Sequence, residues 1–249
     1  MDPHCGQLRR RRSAVRADEL TWTVLADGPP RTLVVPVGSV EQHGPHLPLT
    51  TDVRVAEHVA TRMEQRDPDL VLAPAVAYGA AGEHEGFPGT VSIGHEALRA
   101  VLVELGRSAC RWAARLVFVN GHGGNVRTLV EAVRLLRYEG RDAAWVPCVA
   151  PGVRGDAHAG RTETSLMLAL GARVGAEREP GATAPLRELL PEMREKGVAG
   201  VSPNGILGDP RGASAEEGEA LLAAMTDALA AAVARWEADE GTGRLAFGS

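Results

Sequence analysis

Cysteine is scarce: Cys5, Cys110 and Cys148 are the only three in a chain of 249 residues. An odd number, far apart and without paired spacing, excludes a disulfide framework and a cysteine-based metal site. Cys110 and Cys148 fall in apolar patterns and read as buried thiols, which suits a reducing cytoplasm. Lysine is nearly missing, with Lys196 alone, and the net charge is −5. No general attraction to nucleic acid or to an anionic membrane is therefore expected. The one basic run, Arg9 to Arg12, is not followed by an apolar segment. It is not expected to be an export signal and reads as part of a solvated tail over residues 1–20. No run nears the roughly 18 consecutive apolar residues that cross a bilayer.

What is present is an alternation of short β-rich runs with longer helical periods. Thr32 to Gly38, Leu70 to Val76, Arg115 to Asn120 and Ala143 to Val149 read as strands. Val53 to Met63, Glu96 to Ala114, Asn125 to Tyr138, Glu163 to Leu170 and Ala215 to Trp236 have helical spacing, with Asp52 as the expected N-cap of the first and Thr50 and Thr51 as alternative caps that would free it. This alternation predicts an α/β fold with a mostly parallel sheet covered on both faces. No repeat or linker divides the chain, so one domain is expected over residues 1–249. The stretch from Val198 to Gly212, which bears glycine and proline, is expected to be a surface loop. Ligands in such folds gather beyond the carboxyl ends of the strands, so polar clusters that follow different strands should meet there.

Three polar clusters do follow strands. In the first, Glu41-Gln42-His43-Gly44-Pro45-His46 and Asp52 combine carboxylates with imidazoles, the donor mix that holds divalent metals. Glu41 and His43 are two apart and point to one side of an extended loop. Asp52 offers two oxygens and is placed to bridge two ions. Taken singly, Glu41 or Asp52 would read as a loop carboxylate or a helix cap. His46 is either a further site residue or one that fixes the loop. In the second cluster, His122 stands among Gly121, Gly123 and Gly124, which permit close backbone approach. Asn120 and Asn125 either fix this loop or, for Asn125, bind substrate. A phosphate-cradling reading fails because neither glycine-rich nucleotide motif is present. In the third, His158 and Glu163 span a loop-to-helix junction. Glu163 is a candidate metal ligand or water-activating base, and His158 a candidate proton donor. The loop from Gly82 to Thr90 offers Glu83, His84 and Phe87 as substrate contacts, or else serves as a rigid turn that positions Thr90.

The string Gly38-Ser39 followed by Glu41-Gln42-His43-Gly44-Pro45-His46-Leu47-Pro48 and Thr51-Asp52 resembles the creatininase (creatinine amidohydrolase) family. Phe87-Pro88-Gly89-Thr90, Asn120 to Asn125, and His158 to Ser165 match in the same order, so the resemblance runs from about Leu33 to Leu170. It implies a three-layer α/β/α, Rossmann-like fold, homo-oligomers that are often hexamers, and one or two divalent ions (zinc, iron or manganese) used to hydrolyse carbon–nitrogen bonds. It places Glu41, Asp52 and His122 around one ion, His43 and the shared Asp52 around the other, and His158 at the substrate. Creatininase itself has His-Tyr-Glu where this chain has His122-Gly123-Gly124, so one ligand is missing, and Glu163 is the carboxylate nominated to replace it. Tyr78 to His84 and Thr162 to Leu168 resemble more closely a peptidase subgroup, which releases a modified, Val-Tyr-derived C-terminal dipeptide from a ribosomally made precursor. Arg161 stands where that subgroup leads one to expect histidine or glutamate. The expected activity is amide or peptide hydrolysis. The alternatives are a small cyclic-amide or formamide hydrolase and a non-catalytic, metal-bound scaffold.

Overall fold

Val34, Val35 and Val37 have β-branched side chains that suit a pleated surface buried on both sides, and Thr32–Val37 forms the strand β1. The computed structural model describes residues 15–153 and 155–247. Leu70–Leu72 (β2), Arg115–Asn120 (β3) and Ala143–Pro147 (β4) join β1 in a parallel sheet of order β2-β1-β3-β4. The run expected to extend to Val76 leaves the sheet after Leu72, and Val76 keeps only an isolated bridge to Val37. This departure tolerates Pro36 inside a central strand. The carbonyls of Val34 and Pro36 accept from the amides of Ala73 and Val76, so the ring nitrogen of Pro36 faces the edge where β2 has ended.

The helices are Trp22–Ala26 (α1), Thr51–Arg66 (α2), Gly94–Ala109 (α3), Val126–Tyr138 (α4), Arg161–Ala169 (α5), Leu186–Val201 (α6) and Ala215–Arg235 (α7). One core joins Val34, Val117, Val119 and Val146 of the sheet to Val55, Val59 and Met63 of α2, Leu166 and Met167 of α5, and Leu222, Met225 and Leu229 of α7. The other joins Val35, Leu116, Phe118 and Trp145 to Leu98 and Leu102 of α3 and Leu129 and Leu136 of α4. The alternation of inward side chains along each strand thus produces the α/β/α layering. Among the described residues, no helix is long and apolar enough to cross a membrane.

Three expectations need correction. Asp52 is not the N-cap of α2. Thr50 holds that position and Asp52 lies in the first turn, which frees its carboxylate. Within the tail expected over residues 1–20, the carbonyl of Val15 accepts from Leu72 N and Ala17–Glu19 forms a single helical turn. Cys5 and Arg9 to Arg12 lie outside the described residues. The stretch expected as a surface loop supplies the end of α6, and Ile206 and Leu207 are buried. Pro191 and the positive-φ Gly197 sit inside α6 and interrupt the sequence signal for a helix.

The loop after β1 leads to α2 on one face, while the loop after β3 leads to α4 on the other. The carboxyl ends of these neighbouring strands therefore diverge, which is the crevice where such sheets bind ligands. Gly121 lets β3 approach α2 there, since a Cβ on it would stand 2.4 Å from the carbonyl oxygen of Asp52.

Candidate metal centre

Beyond β1 the chain folds back on itself. Glu41 N donates to Leu49 O (3.0 Å) and Leu47 N to His43 O (3.3 Å), with Gly44 at φ +62° between them. Gln42 N donates to Thr90 Oγ1 at 3.0 Å. These ties turn the side chains of Glu41 and His43 inward, and both residues have no exposed surface. The first turn of α2 brings Asp52, the loop after β3 brings His122, and the loop after β4 with the start of α5 brings His158 and Glu163.

His122 Nε2 is 3.1 Å from the carbonyl oxygen of Ala80. A carbonyl only accepts, so Nε2 carries the proton, and Nδ1 is left facing Glu41 Oε2 at 3.1 Å and Asp52 Oδ2 at 3.3 Å. His43 repeats the arrangement. Its Nδ1 donates to Glu41 O at 3.1 Å, and Nε2 faces Asp52 Oδ1 at 3.1 Å and Glu163 Oε2 at 3.8 Å. Both rings thus aim a nitrogen at two carboxylates, with the opposite nitrogen fixed by backbone, as in metal-ligating histidines. Asp52 turns one oxygen to each group.

The donor set fits divalent ions. Both oxygens of Glu41, together with Asp52 Oδ2, are buried without a hydrogen-bond partner. Buried carboxylates are costly unless a positive charge faces them, and a metal cation within each group would supply that charge. Glu41, Asp52 and His122 have ligand atoms within 4.8 Å of one another, and so do His43, His158 and Glu163, as well as Glu41, His84 and His158; the first two also face the two oxygens of Asp52. Two groups of nitrogen and oxygen donors joined by Asp52 match the chemistry of zinc, manganese or iron.

When no metal is bound, protons take its place. Burial opposes charge on His43, but the carboxylates of Asp52, Glu163 and Glu41 prevail and push its pKa up to about 10. His122 is likewise raised against the cost of burial, by Glu41 and Asp52. Burial disfavours the Asp52 carboxylate too, but His43 and His122 hold its pKa low. Burial and the neighbouring Asp52 raise Glu41. Metal uptake near pH 7 is therefore expected to release a proton from each of His43 and His122. Calorimetric titration in buffers of different ionisation enthalpy measures this. The apparent affinity should rise about tenfold per pH unit for each proton displaced. In the stripped protein, protonated His43 contributes stability that is full below pH 6.5 and lost as pH rises through about 10. Metal-loaded protein should lack this alkaline loss.

The remaining histidines differ in kind. Gln42 Oε1 accepts from Gly44 N at 2.8 Å, which sets the orientation of its amide. Gln42 Nε2 then donates to Gly205 O (3.1 Å) and to His84 Nδ1 (2.8 Å), so the proton of His84 sits on Nε2, 3.3 Å from Glu41 Oε1. Burial lowers His84 to about 3 and keeps it neutral. His158 Nε2 donates to Gln42 O at 2.8 Å, and Nδ1 faces Glu41 Oε1 at 3.8 Å. Burial and the nearby His43 and His84 hold His158 well below the ordinary range. Its nitrogen nearest the carboxylates is thus a lone pair in the metal-free protein, and the proton-donor role expected of His158 requires that nitrogen first to take up a proton. His46 lies apart: Nε2 pairs with Thr164 Oγ1 at 2.9 Å, which fixes the loop against α5.

Asn125 also needs correction. It is wholly buried, its Oδ1 accepts from Ala80 N, and its Nδ2 donates to Gly38 O and Asn120 Oδ1. Its polar atoms tie loops together and do not reach a substrate. Phe87 lies outside the walls of the cavities at the site. It helps form the turn that presents Thr90 to Gln42. Glu83 and His84 do line a cavity of about 320 Å³, with His122, Gly123, His158 and Glu163. The sequence reading missed Gln42, although the same dense motif carries it. It also missed the α6 face of Leu186, Leu190 and Met193, whose helical spacing was the available signal.

Residue 124 has no room for a side chain in this structure. A Cβ on Gly124 would lie 2.5 Å from Ala80 O and 2.4 Å from His122 Nε2. Gly124→Glu is therefore expected to displace His122, weaken metal binding and destabilise the protein by about 1–3 kcal/mol. Thermal melting and metal analysis check this.

Residues 18–233 match the family described as creatinine amidohydrolase. A mycofactocin precursor peptide peptidase of Mycolicibacterium smegmatis is 59% identical over 214 residues, which cover 83% of this chain and 86% of that one. Among solved structures, a creatininase with Mn matches with a TM-score of 0.74 at 31% identity, over 89% of this chain and 98% of that one. A creatininase mutant of Zn-Zn type matches with the same score and identity, over 90% and 98%.

Proposed function

The chain belongs to the creatinine amidohydrolase family, and from that premise we propose that it is a metal-dependent peptidase that releases the modified C-terminal dipeptide of the mycofactocin precursor. The observation that carries the reading is the pair of buried donor groups joined by Asp52, together with the likeness to the mycobacterial peptidase. Glu41, Asp52 and His122 would hold one divalent ion, and His43, Asp52 and Glu163 a second. Such ions supply Lewis acidity, polarising the amide carbonyl and bringing the pKa of water to about 7.

The side chains do the rest. Glu163 Oε2 accepts from Ala159 N at 2.5 Å, so a proton in transit rides on Oε1. In the metal-free protein burial pushes this carboxyl up to about 7, partly opposed by His43; a bound cation would lower it, and the carboxylate is then the form that accepts a proton. Glu163 takes a proton from the attacking water and passes it to the leaving nitrogen. Water oxygen bonds to the carbonyl carbon, the carbon–nitrogen bond breaks, and an acid and an amine result. His158 accepts a hydrogen bond at Nδ1 and orients the reacting groups. Gln42 holds His84 and the loop at Gly205 in place around them.

The test is mass spectrometry of the modified precursor after incubation with metal-loaded protein, with creatinine as a second substrate. Loss of the terminal dipeptide supports the proposal. Turnover of creatinine alone favours the cyclic-amide reading, and turnover of neither favours the scaffold. The homo-oligomer implied by the family resemblance and the cytoplasmic location suggested by the cysteine pattern belong to the same proposal, and sedimentation tests the first.

A further inference from the structure

An imidazole gives a lone pair to a cation only from a nitrogen that carries no proton. What stands behind each ring at the metal centre therefore decides what the ring presents in front. Backbone carbonyls stand behind three of them: Ala80 O behind His122, Glu41 O behind His43 and Gln42 O behind His158. Each carbonyl takes the proton on the far nitrogen and leaves a lone pair facing the carboxylates. His84 is the exception. Its Nδ1 is 2.8 Å from Gln42 Nε2, an amide nitrogen that only donates.

Two glycines set the direction of that amide. Gly44, at φ +62°, donates its N–H to Gln42 Oε1 at 2.8 Å. Gly205, at φ +77°, offers its carbonyl to Gln42 Nε2 at 3.1 Å, and a Cβ there would stand 2.1 Å from Gln42 Oε1. Reversing the amide would set oxygen against oxygen at Gly205 and N–H against N–H at Gly44. Gln42 thus keeps a hydrogen toward His84 Nδ1, and the ring proton is left on Nε2. That N–H lies in a third donor group, since Glu41, His84 and His158 also bring ligand atoms within 4.8 Å of one another. It faces Glu41 Oε1 at 3.3 Å, an oxygen with no hydrogen-bond partner.

Resting on the two-ion centre of the proposed function, we infer that Gln42 bars this third group from taking a metal ion by fixing His84 as a donor, and so confines the centre to the two groups that Asp52 joins. With Nε2 protonated, the third group offers only Glu41 Oε1 and His158 Nδ1, which stand 3.8 Å apart. That is fewer protein ligands than even an open zinc site uses. Glu41 is thereby reserved for the group with Asp52 and His122, and the lone pair of His158 stays free for the reacting groups. Gln42 is a positioning residue that acts through His84.

The test counts zinc per chain and reads the ring nitrogens by NMR. Wild-type protein in excess zinc should saturate at two ions. His84 should carry its proton on Nε2 before and after loading, while the ring signals of His43 and His122 shift. Gln42→Glu places an acceptor opposite His84 Nδ1, which draws the ring proton there and turns the Nε2 lone pair toward Glu41. This variant should bind a third ion, and adding His84→Phe should return the count to two. A purely structural role for Gln42 would alter stability but neither tautomer nor count. The inference is overturned by a third ion in wild-type protein, by zinc coordination at His84 Nε2 there, or by Gln42→Glu with two ions and the proton still on Nε2. If Gln42→Glu does not fold, the wild-type count and tautomer decide. Wild-type protein that binds no zinc contradicts the proposed function itself, which is a different result from a third ion.

Discussion

His122→Ala is expected to abolish metal at one of the two donor groups and to lower turnover on the order of 10⁴-fold, the factor that about 5 kcal/mol of transition-state stabilisation represents. The reason is specific to the geometry. His122 Nδ1 is the only nitrogen in the group with Glu41 and Asp52, both of which are buried. Two carboxylates alone bind zinc-like ions poorly and repel each other. The variant should still melt cooperatively, since its backbone neighbours are tied by Asn120 and Asn125. His46→Ala makes the contrast. It removes a buried contact to Thr164 and should cost about 1–3 kcal/mol of stability with metal retained. Metal analysis, melting and steady-state kinetics on the two variants separate a ligand from a loop-fixing histidine that stands only three positions from His43 and six from Asp52.

The second large effect falls on Glu163. Glu163→Gln keeps size and the acceptor for Ala159 N but removes the exchangeable proton. A decrease of about 10²–10⁴-fold in kcat is expected, with a smaller change in KM. Wild-type activity should decline on the acid side as the carboxyl protonates, in a limb at or below pH 7, since a bound cation lowers the value of about 7. That limb should be absent in the Gln variant. Linkage also gives a sign for stability. A carboxyl raised from 4.5 to about 7 favours the folded state while protonated, and that contribution disappears as pH rises through about 7. Stripped wild-type protein should therefore lose this increment between pH 4.5 and 7, and Glu163→Gln should not.

The main lines of this chemistry were legible in the sequence because they are local. Glu41, His43 and Asp52 share one dense motif, and His122 follows the strand Arg115–Asn120, whose bounds the apolar run predicts in full. The convergence of motifs from three strands follows from parallel topology alone. Other features depend on tertiary context. Helix α6 is hidden by Pro191 and Gly197, and it becomes stable by packing on the turn at Gly82–His84. The loop after it looks polar and flexible, yet Ile206 and Leu207 are buried against the site because Gly205 O receives Gln42 and Leu207 pairs with His158. Asn125 was a reasonable substrate contact by residue type. Its complete use by backbone groups 45 and 87 positions away leaves no trace in local pattern. The tautomers of His122, His43 and His158 are also set by carbonyls that only the fold brings near.

The most direct measurement is anomalous scattering from crystals of the protein loaded with manganese or zinc, collected on both sides of the metal edge. Peaks are predicted between Glu41, Asp52 and His122, and between His43, Asp52 and Glu163, with Asp52 touching both. Metal bound elsewhere, with Glu41 and His122 uncoordinated, would contradict the account.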